Sequence, residues 1–356
     1  MHILGLANGS VGGNSEILLK AALSSARSSN PSITTSWIHV PSIVFPRNAG
    51  PLKNAPDISA GTNASNNYNG VVTNNERDDR PQVLNAILNA DALVFSTPVY
   101  SHQPAGPLKA LLDTILGPYT DAALATRILS AQKSGSGDSR YANMSIDARI
   151  VKPRVAAFLA VGGSTTPDQF TMALPTLHMF CYPLHAKVVD QAVFMGYANP
   201  GAVLRSQGDE VLIRAKEVGV NVADQIGMVF DEAKYLGPEP HGACPHCHLA
   251  KLDFFGGASN AIGCIVCGNT GKLVLGKDGA VVPEWDTDSE YCCITMKGKQ
   301  KHIDDIFKNA SAEWKGPDAD GEFEERSREW RGCDVGKVEF GEKTRVKGRA
   351  TCIQKI

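Results

Sequence analysis

Residues 2–23 read "HILGLANGSVGGNSEILLKAAL", a complete strand–loop–helix unit. His2–Ala7 is a short apolar run. After the loop, Ile17, Leu18, Ala21, Ala22 and Ala26 recur at helical spacing, which predicts a helix from Ser15 to about Ser28. Between them stand Gly9, Ser10, Gly12, Gly13, Asn14 and Ser15. A plain turn needs one or two such residues, whereas a loop that wraps an anion with its backbone N–H groups needs most of them. The plainer alternative is a glycine-rich helix entry capped by Asn14 or Ser15.

The same alternation continues downstream. "SITTSWIHV" (32–40), "DALVFST" (91–97), "RVAAFLAVGG" (154–163) and "HAKVVDQAVF" (185–194) read as further strands. "PQVLNAILNA" (81–90), "LKALLDTIL" (108–116) and "PDQFTMALPTLHMF" (167–180) read as helices, with Pro175 a local break. Residues 206–235 carry the longest helical pattern, with Val211, Leu212, Ala215, Val218, Val222, Ile226, Val229 and Phe230 on one face. Five strands alternating with helices imply an α/β fold with a doubly wound parallel sheet, flavodoxin-like or Rossmann. Residues 46–80, rich in Asn, Gly, Pro and Asp, interrupt it as a long loop insertion, and 130–150 are polar.

Composition narrows the function. Hydrophobic residues make up 43% and charged ones 20%, with a net charge of −2. No basic field favours nucleic acid or an anionic membrane. No apolar run reaches the roughly 20 residues that span a bilayer, and the N-terminus lacks a charged leader, so the expected setting is cytoplasmic.

The first loop does not match known nucleotide fingerprints. Gly9, Gly12 and Gly13 have the wrong spacing for a dinucleotide loop, and no Gly-Lys-Ser/Thr follows. "WIHVPS" closes the second strand without an acid for a ribose. Neutral donors suit a monophosphate ester such as FMN. Two further loops follow strands: "STPVYSHQPAGPLKALLD" (96–113) and "AVGGSTTPDQF" (160–170). On Pro98, Tyr100, Pro104, Leu108, Lys109 and Asp113 in the second loop, and on Gly162 and Gly163 in the third, residues 1 to about 235 resemble the NADPH-dependent FMN reductases and related flavodoxin-like quinone reductases. The family's frequent arginine in the first loop is missing; "SVGGNS" stands there. Some relatives carry an iron–sulfur cysteine cluster before the third strand; residues 40–90 contain no cysteine, so none is expected here.

The resemblance implies a flavodoxin-like five-stranded parallel sheet and bound FMN, with Ser10, Asn14 and Ser15 on its phosphate. Pro98, Val99, Tyr100 and Ser101 would line the isoalloxazine edge, and Gly162, Gly163 and Ser164 the pyrimidine side. Tyr100 and His102 would be the catalytic side chains, His102 as proton donor to a reduced substrate; the plainer alternative for His102 is a solvated loop histidine. Lys109 and Asp113 read as helix-surface or cap residues; His178, Cys181 and His185 as core or surface. The implied activity is FMN-dependent NAD(P)H oxidation with hydride passing through flavin N5 to a quinone or another electron-poor small acceptor. The implied assembly is a homodimer, with no nucleic acid or membrane partner.

From "LGPEPHGA" (236–243) the alternation stops, placing a boundary near residue 237. Four of the nine cysteines, Cys244, Cys247, Cys264 and Cys267, form C-x2-C-x16-C-x2-C. Two such knuckles complete a tetrahedron for structural zinc. Iron in a rubredoxin-like site is the other candidate, suggested by the glycine after the second pair, although His248 replaces the one after the first. Residues 238–299 are therefore expected to form an independently built zinc-ribbon-like module, serving as a lid or a dimerisation arm. Cys292 and Cys293 read as strand-like buried residues. Residues 300–356 follow as a short helix (300–314) and a charged tail ending in a strand-like stretch, 337–356. A flavin- or redox-sensing regulator that uses the ribbon to bind protein partners is the competing function; a colourless protein, or flavin that NAD(P)H fails to bleach, would favour it.

Overall fold

Alternation along the first strand decides how the sheet is covered. In β1 (His2–Ala7), Ile3 and Ala7 join one apolar cluster while Leu4 and Leu6 join another. The computed structural model describes residues 1–46, 52, 77–117, 120–135, 141, 144–205, 208–255, 259–313 and 321–333. Most of the expected 46–80 insertion and the whole 337–356 stretch lie outside the described residues.

β2 (Thr34–His39), β3 (Ala92–Tyr100), a two-residue β4 (Gln103–Pro104), β5 (Val155–Gly162) and β6 (Lys187–Met195) complete the first sheet. Its long strands are all parallel, in the order β2-β1-β3-β5-β6; β4 folds back antiparallel on β3. Counting the parallel strands alone gives 2-1-3-4-5, the flavodoxin-like order.

One face is covered by α1 (Asn14–Ser29), whose Leu18, Leu19 and Ala22 pack with Ala215, Val218 and Val222 of the last helix of the domain, Gly208–Gln225. These two helices lie backbone to backbone: a Cβ on Gly219 would stand 2.0 Å from the Ala22 carbonyl oxygen. The other face carries α2 (Arg80–Asn89), α3 (Gly106–Ile115), α4 (Ala122–Ser134) and α5 (Ala173–Cys181). The Gly208–Gln225 helix is α6.

Three local differences from the sequence reading have physical causes. α6 stops at Gln225, not near 235, because Gly227 takes a left-handed φ of +89°. The 167–180 segment splits into a 3-10 turn, Pro167–Phe170, and α5; Pro175 sits in the first turn of α5, where its missing N–H has no intrahelical acceptor to lose. α4 was not expected. Asp121 caps it, accepting from Leu124 N–H, and Gly135 closes it at a φ of +62°.

Beyond α6 lies a second, antiparallel sheet: β7 (Leu252–Phe254), β8 (Ala261–Cys264), β9 (Thr270–Leu275) and β10 (Val281–Trp285), in the order β10-β9-β8-β7. The expected boundary near residue 237 does not separate two cores. Met1–Asp305 is one compact unit. Cys244, Cys247, Leu249, Cys264, Val266, Cys267, Cys292 and Ile294 belong to the same apolar cluster as Leu177 and Phe180 of α5. The cysteines are core side chains as well as potential ligands, which the spacing alone does not reveal. The helix expected at 300–314 is α7, Met296–Glu313. From Ile306 the chain forms a second unit, in which Glu322–Arg331 (α8) is helical without a buried residue. Among the described residues no helix is long and apolar enough to cross a membrane.

Candidate active site and metal centre

The loop after β1 enters α1 through Gly13, the N-cap residue, which offers no side chain. Neither Asn14 nor Ser15 is the cap. Asn14 is already engaged: its amide donates to Tyr197 O (3.1 Å) and Asn199 O (2.9 Å), and its Oδ1 accepts from Val203 N–H at 3.3 Å. The Asn14 side chain therefore ties the 197–203 loop to the helix start and has no amide hydrogen to spare for a phosphate. Ser10 is exposed and Ser15 buried. The first N–H groups of α1 lack intrahelical acceptors and face an anion-favouring helix end. A Cβ on Gly9 would stand 2.3 Å from Ser15 Oγ and 3.3 Å from Pro98 Cδ, so this loop presses against the one after β3.

Glu16 is a site neighbour that a pattern of phosphate donors does not single out, because it is an acceptor. Its buried carboxylate accepts from Gly12 N–H at 2.9 Å and pairs with Lys20 Nζ at 2.5 Å. The Lys20 hydrogen bond, then that of Gly12, holds the Glu16 carboxyl below the usual range.

After β3 the chain makes a two-residue hairpin. Val99 pairs with Pro104 and Tyr100 with Gln103, leaving Ser101 (φ +47°) and His102 (φ +71°) at the centre. Hairpin turns with both central residues left-handed favour Asn and Gly, so Ser and His here carry strain. The turn is held from outside: His102 O accepts from Met172 N–H at 3.2 Å, and His102 Nδ1 lies 2.9 Å from Asp168 O. A carbonyl oxygen only accepts, so Nδ1 carries the proton and Nε2 keeps its lone pair. Tyr100 beside it is 65% exposed. Below the turn, Asn8 Nδ2 donates to Thr97 Oγ1 (3.0 Å) and Ala105 O (2.8 Å).

The third loop closes against both neighbours. A Cβ on Gly162 would lie 2.9 Å from the Phe170 ring and 3.6 Å from Val99 Cβ, and one on Gly163 would lie 2.9 Å from Ala198. Ser164 O accepts from Gly196 N–H at 2.8 Å. The loops carrying Ser10 and Ser15, Pro98–Ser101 and Gly162–Ser164 thus meet at the carboxyl edge of the parallel sheet, where such folds bind ligands. The helix start at this edge suits a phosphate. Lys109 and Asp113 form an exposed ion pair along α3, at 2.5 Å.

The second centre is built from Cys244, Cys247, Cys264 and Cys267, all buried, with ligand atoms within 4.8 Å of one another. Cys244 and Cys267 sulfurs are 3.6 Å apart and those of Cys247 and Cys264 3.5 Å apart. A tetrahedron of sulfurs about 2.3 Å from an ion has edges of about 3.8 Å, so the set fits a tetrahedral thiophilic metal. The two knuckles repeat one geometry. His248 N–H donates to Cys244 O and Gly268 N–H to Cys264 O, each at 2.8 Å. Cys244 N–H donates to Leu249 O and Cys264 N–H to Asn269 O. Both turns need a left-handed residue, Gly268 at φ +75° and His248 at φ +59°. His248 is held there by Glu239, 2.6 Å from its Nδ1, and by stacking on Tyr235 at 3.9 Å. Hydrogen bonding among the thiols pulls the pKa of Cys244 and Cys264 below the usual thiol value and pushes that of Cys247 and Cys267 above it. With all four deprotonated, thiolates this close would need a cation between them.

Comparison with known proteins agrees with this architecture. The family described as NADPH-dependent FMN reductase matches residues 1–199. Flavone synthase cfoJ of Aspergillus candidus is 33% identical over 318 residues, covering 88% of this chain and 91% of its own. An alignment of that length extends well past residue 199, into the cysteine-bearing half. A solved structure of a flavone reductase shares the fold over 96% of this chain and 100% of its own, with a TM-score of 0.73 and 23% identity. The chain belongs to the NADPH-dependent FMN reductase family and is an FMN-dependent oxidoreductase.

Proposed function

We propose that the protein uses NAD(P)H and FMN to exchange hydride with a small, flat, electron-poor carbonyl compound of the flavone or quinone type. The meeting of three loops at the carboxyl edge of the sheet, Gly9 against Pro98 and Gly162 against Val99, with exposed Tyr100 and His102 on the hairpin beside them, is the observation that carries this reading. The flavone half of it draws on one relative named for making flavones and a fold neighbour named for reducing them. FMN, when bound, supplies a reversible hydride acceptor at N5. Ser10, Ser15 and the first N–H groups of α1 would take its phosphate. Pro98, Val99, Tyr100 and Ser101 would line the ring edge, and Gly162, Gly163 and Ser164 the pyrimidine side. His102 would take or give the substrate proton at Nε2, its tautomer set by Asp168 O, and Tyr100 would offer a stacking face. The cysteine centre would hold structural zinc, since four protein thiolates leave no position for substrate. A cytosolic homodimer completes the reading.

The test is spectroscopic. Protein loaded with FMN should turn yellow, bleach anaerobically with NADPH or NADH, and recover its absorbance when a flavone or a naphthoquinone is added. No flavin uptake would sink the reading; recovery with quinone alone would remove its flavone half.

A further inference from the structure

The phosphate loop contains a contradiction in charge. Residues 8–15 hold no lysine or arginine, yet Glu16 places a carboxylate on the Gly12 N–H at 2.9 Å. Glu16 is the third helical residue after the Gly13 cap, the position from which a glutamate usually reaches back to the N-cap N–H. Here it reaches one residue further, to Gly12, whose left-handed φ of +68° lets the loop turn towards it. The other carboxylate oxygen is taken by Lys20, one helical turn on, at 2.5 Å. Lys20 Nζ also stands 4.9 Å over the ring of Trp37, within β2. Its position therefore spans the loop's internal anion and the Trp37 ring of the neighbouring strand, while its side chain stays half exposed.

We propose that Glu16 and Lys20 set the affinity of this loop for the FMN phosphate: Glu16 is an internal anion that competes for the Gly12 N–H, and Lys20 is the cation that the phosphate takes over from it. The proposal rests on the FMN reading of the loop and assigns the role of the missing loop arginine to a lysine on the helix. A like charge beside an anion site weakens binding, and its removal strengthens it. The neutral amide of glutamine can still accept from Gly12 N–H, so Glu16→Gln removes the charge and keeps the bond.

The experiment is a flavin-fluorescence titration of wild type, Glu16→Gln and Lys20→Met with FMN and with riboflavin, which lacks the phosphate. Glu16→Gln is expected to bind FMN about tenfold tighter and Lys20→Met about tenfold weaker, with riboflavin affinity unchanged in both. Glu16→Gln that binds FMN no tighter than wild type, or that shifts FMN and riboflavin together, overturns the proposal and makes Glu16 a shaping residue. Lys20→Met leaves the Gly12 bond intact, so it reports on charge even where Glu16→Gln folds poorly. Wild type that binds neither flavin removes the FMN reading itself, and the proposal with it.

Discussion

The side-chain amide of Gln191, on β6, donates to the carbonyl oxygen of Cys247 at 3.0 Å. Its own oxygen lies 3.0 Å from His178 Nε2 on α5. One buried side chain therefore ties the parallel sheet, a covering helix and the first cysteine knuckle. Gln191→Leu strands the Cys247 carbonyl and the His178 N–H in apolar surroundings. Each stranded group costs about 1–3 kcal/mol, to be read as a lower urea midpoint at unchanged slope. A midpoint equal to wild type would show that the tie carries no stability.

Metal removal should reach the flavin. Tyr182, at the end of α5, donates to Val266 O of the second knuckle at 2.5 Å, and the cysteines share the core of that face. Structural zinc contributes about 10–16 kcal/mol in isolated knuckles, against a typical domain stability of about 5–15 kcal/mol. Cys247→Ser is expected to lose its metal and to melt in one transition that releases FMN. Two separate calorimetric transitions, with the flavin kept through the first, would restore an independently built module.

Asn14 and Ser10 should separate stability from cofactor affinity. Asn14→Ala removes the donor to the Tyr197 carbonyl and the acceptor of the Val203 N–H, while the Asn199 carbonyl keeps its bond from Ala202 N–H, and should lower stability by about 1–3 kcal/mol. Ser10→Ala touches none of these. It should leave the melting temperature in place and weaken FMN by about 1.5–3 kcal/mol, the value of a hydrogen bond to a charged group, or tenfold and more. Ser15→Ala should weaken FMN similarly. Equal flavin titrations in Ser10→Ala, Ser15→Ala and wild type would move the cofactor away from this loop.

Acid should destabilise the fold through buried imidazoles. Burial holds His178 down at about 4 and His185 at about 3. Both are neutral in the native state. Below the ordinary histidine value of about 6.5 the unfolded chain takes up protons that the native chain refuses, so stability falls with pH by about 1.4 kcal/mol per unit per group. The loss begins near pH 6.5 and levels off near pH 4 for His178 and pH 3 for His185. His185→Asn keeps an acceptor for Lys299 and tolerates the left-handed φ of +48° at this position. It should flatten the slope of urea stability between pH 6 and 4 by about one proton; an unchanged slope would place the proton uptake elsewhere.

The strands and the three loops were legible because local pattern determines them. Apolar alternation in "HILGLA" and the glycines at 162 and 163 act within a few residues of chain. α4 was equally local, with its Asp121 cap and Gly135 stop, but the polar stretch beyond residue 130 masked it. Asn14 misled because its residue type allows a phosphate donor, while its partners at 197–203 lie far along the chain. The shared core of the cysteine centre was invisible for the same reason: C-x2-C spacing announces ligands and says nothing of which helix packs on them.

The two knuckles, alike in geometry, differ in what they wait for. Gly268 adopts its left-handed turn freely, whereas His248 holds the same turn with the help of Glu239 and Tyr235, on the segment that follows α6. On that ground the C-terminal thiol pair, though synthesised later, is expected to close early, and the first pair only after residues 235–239 have docked, Leu236 N–H on Val189 O at 2.7 Å among their anchors. Folding order would then run against chain order. Pulse alkylation during refolding should find Cys264 and Cys267 protected before Cys244 and Cys247, and the reverse sequence would refute it.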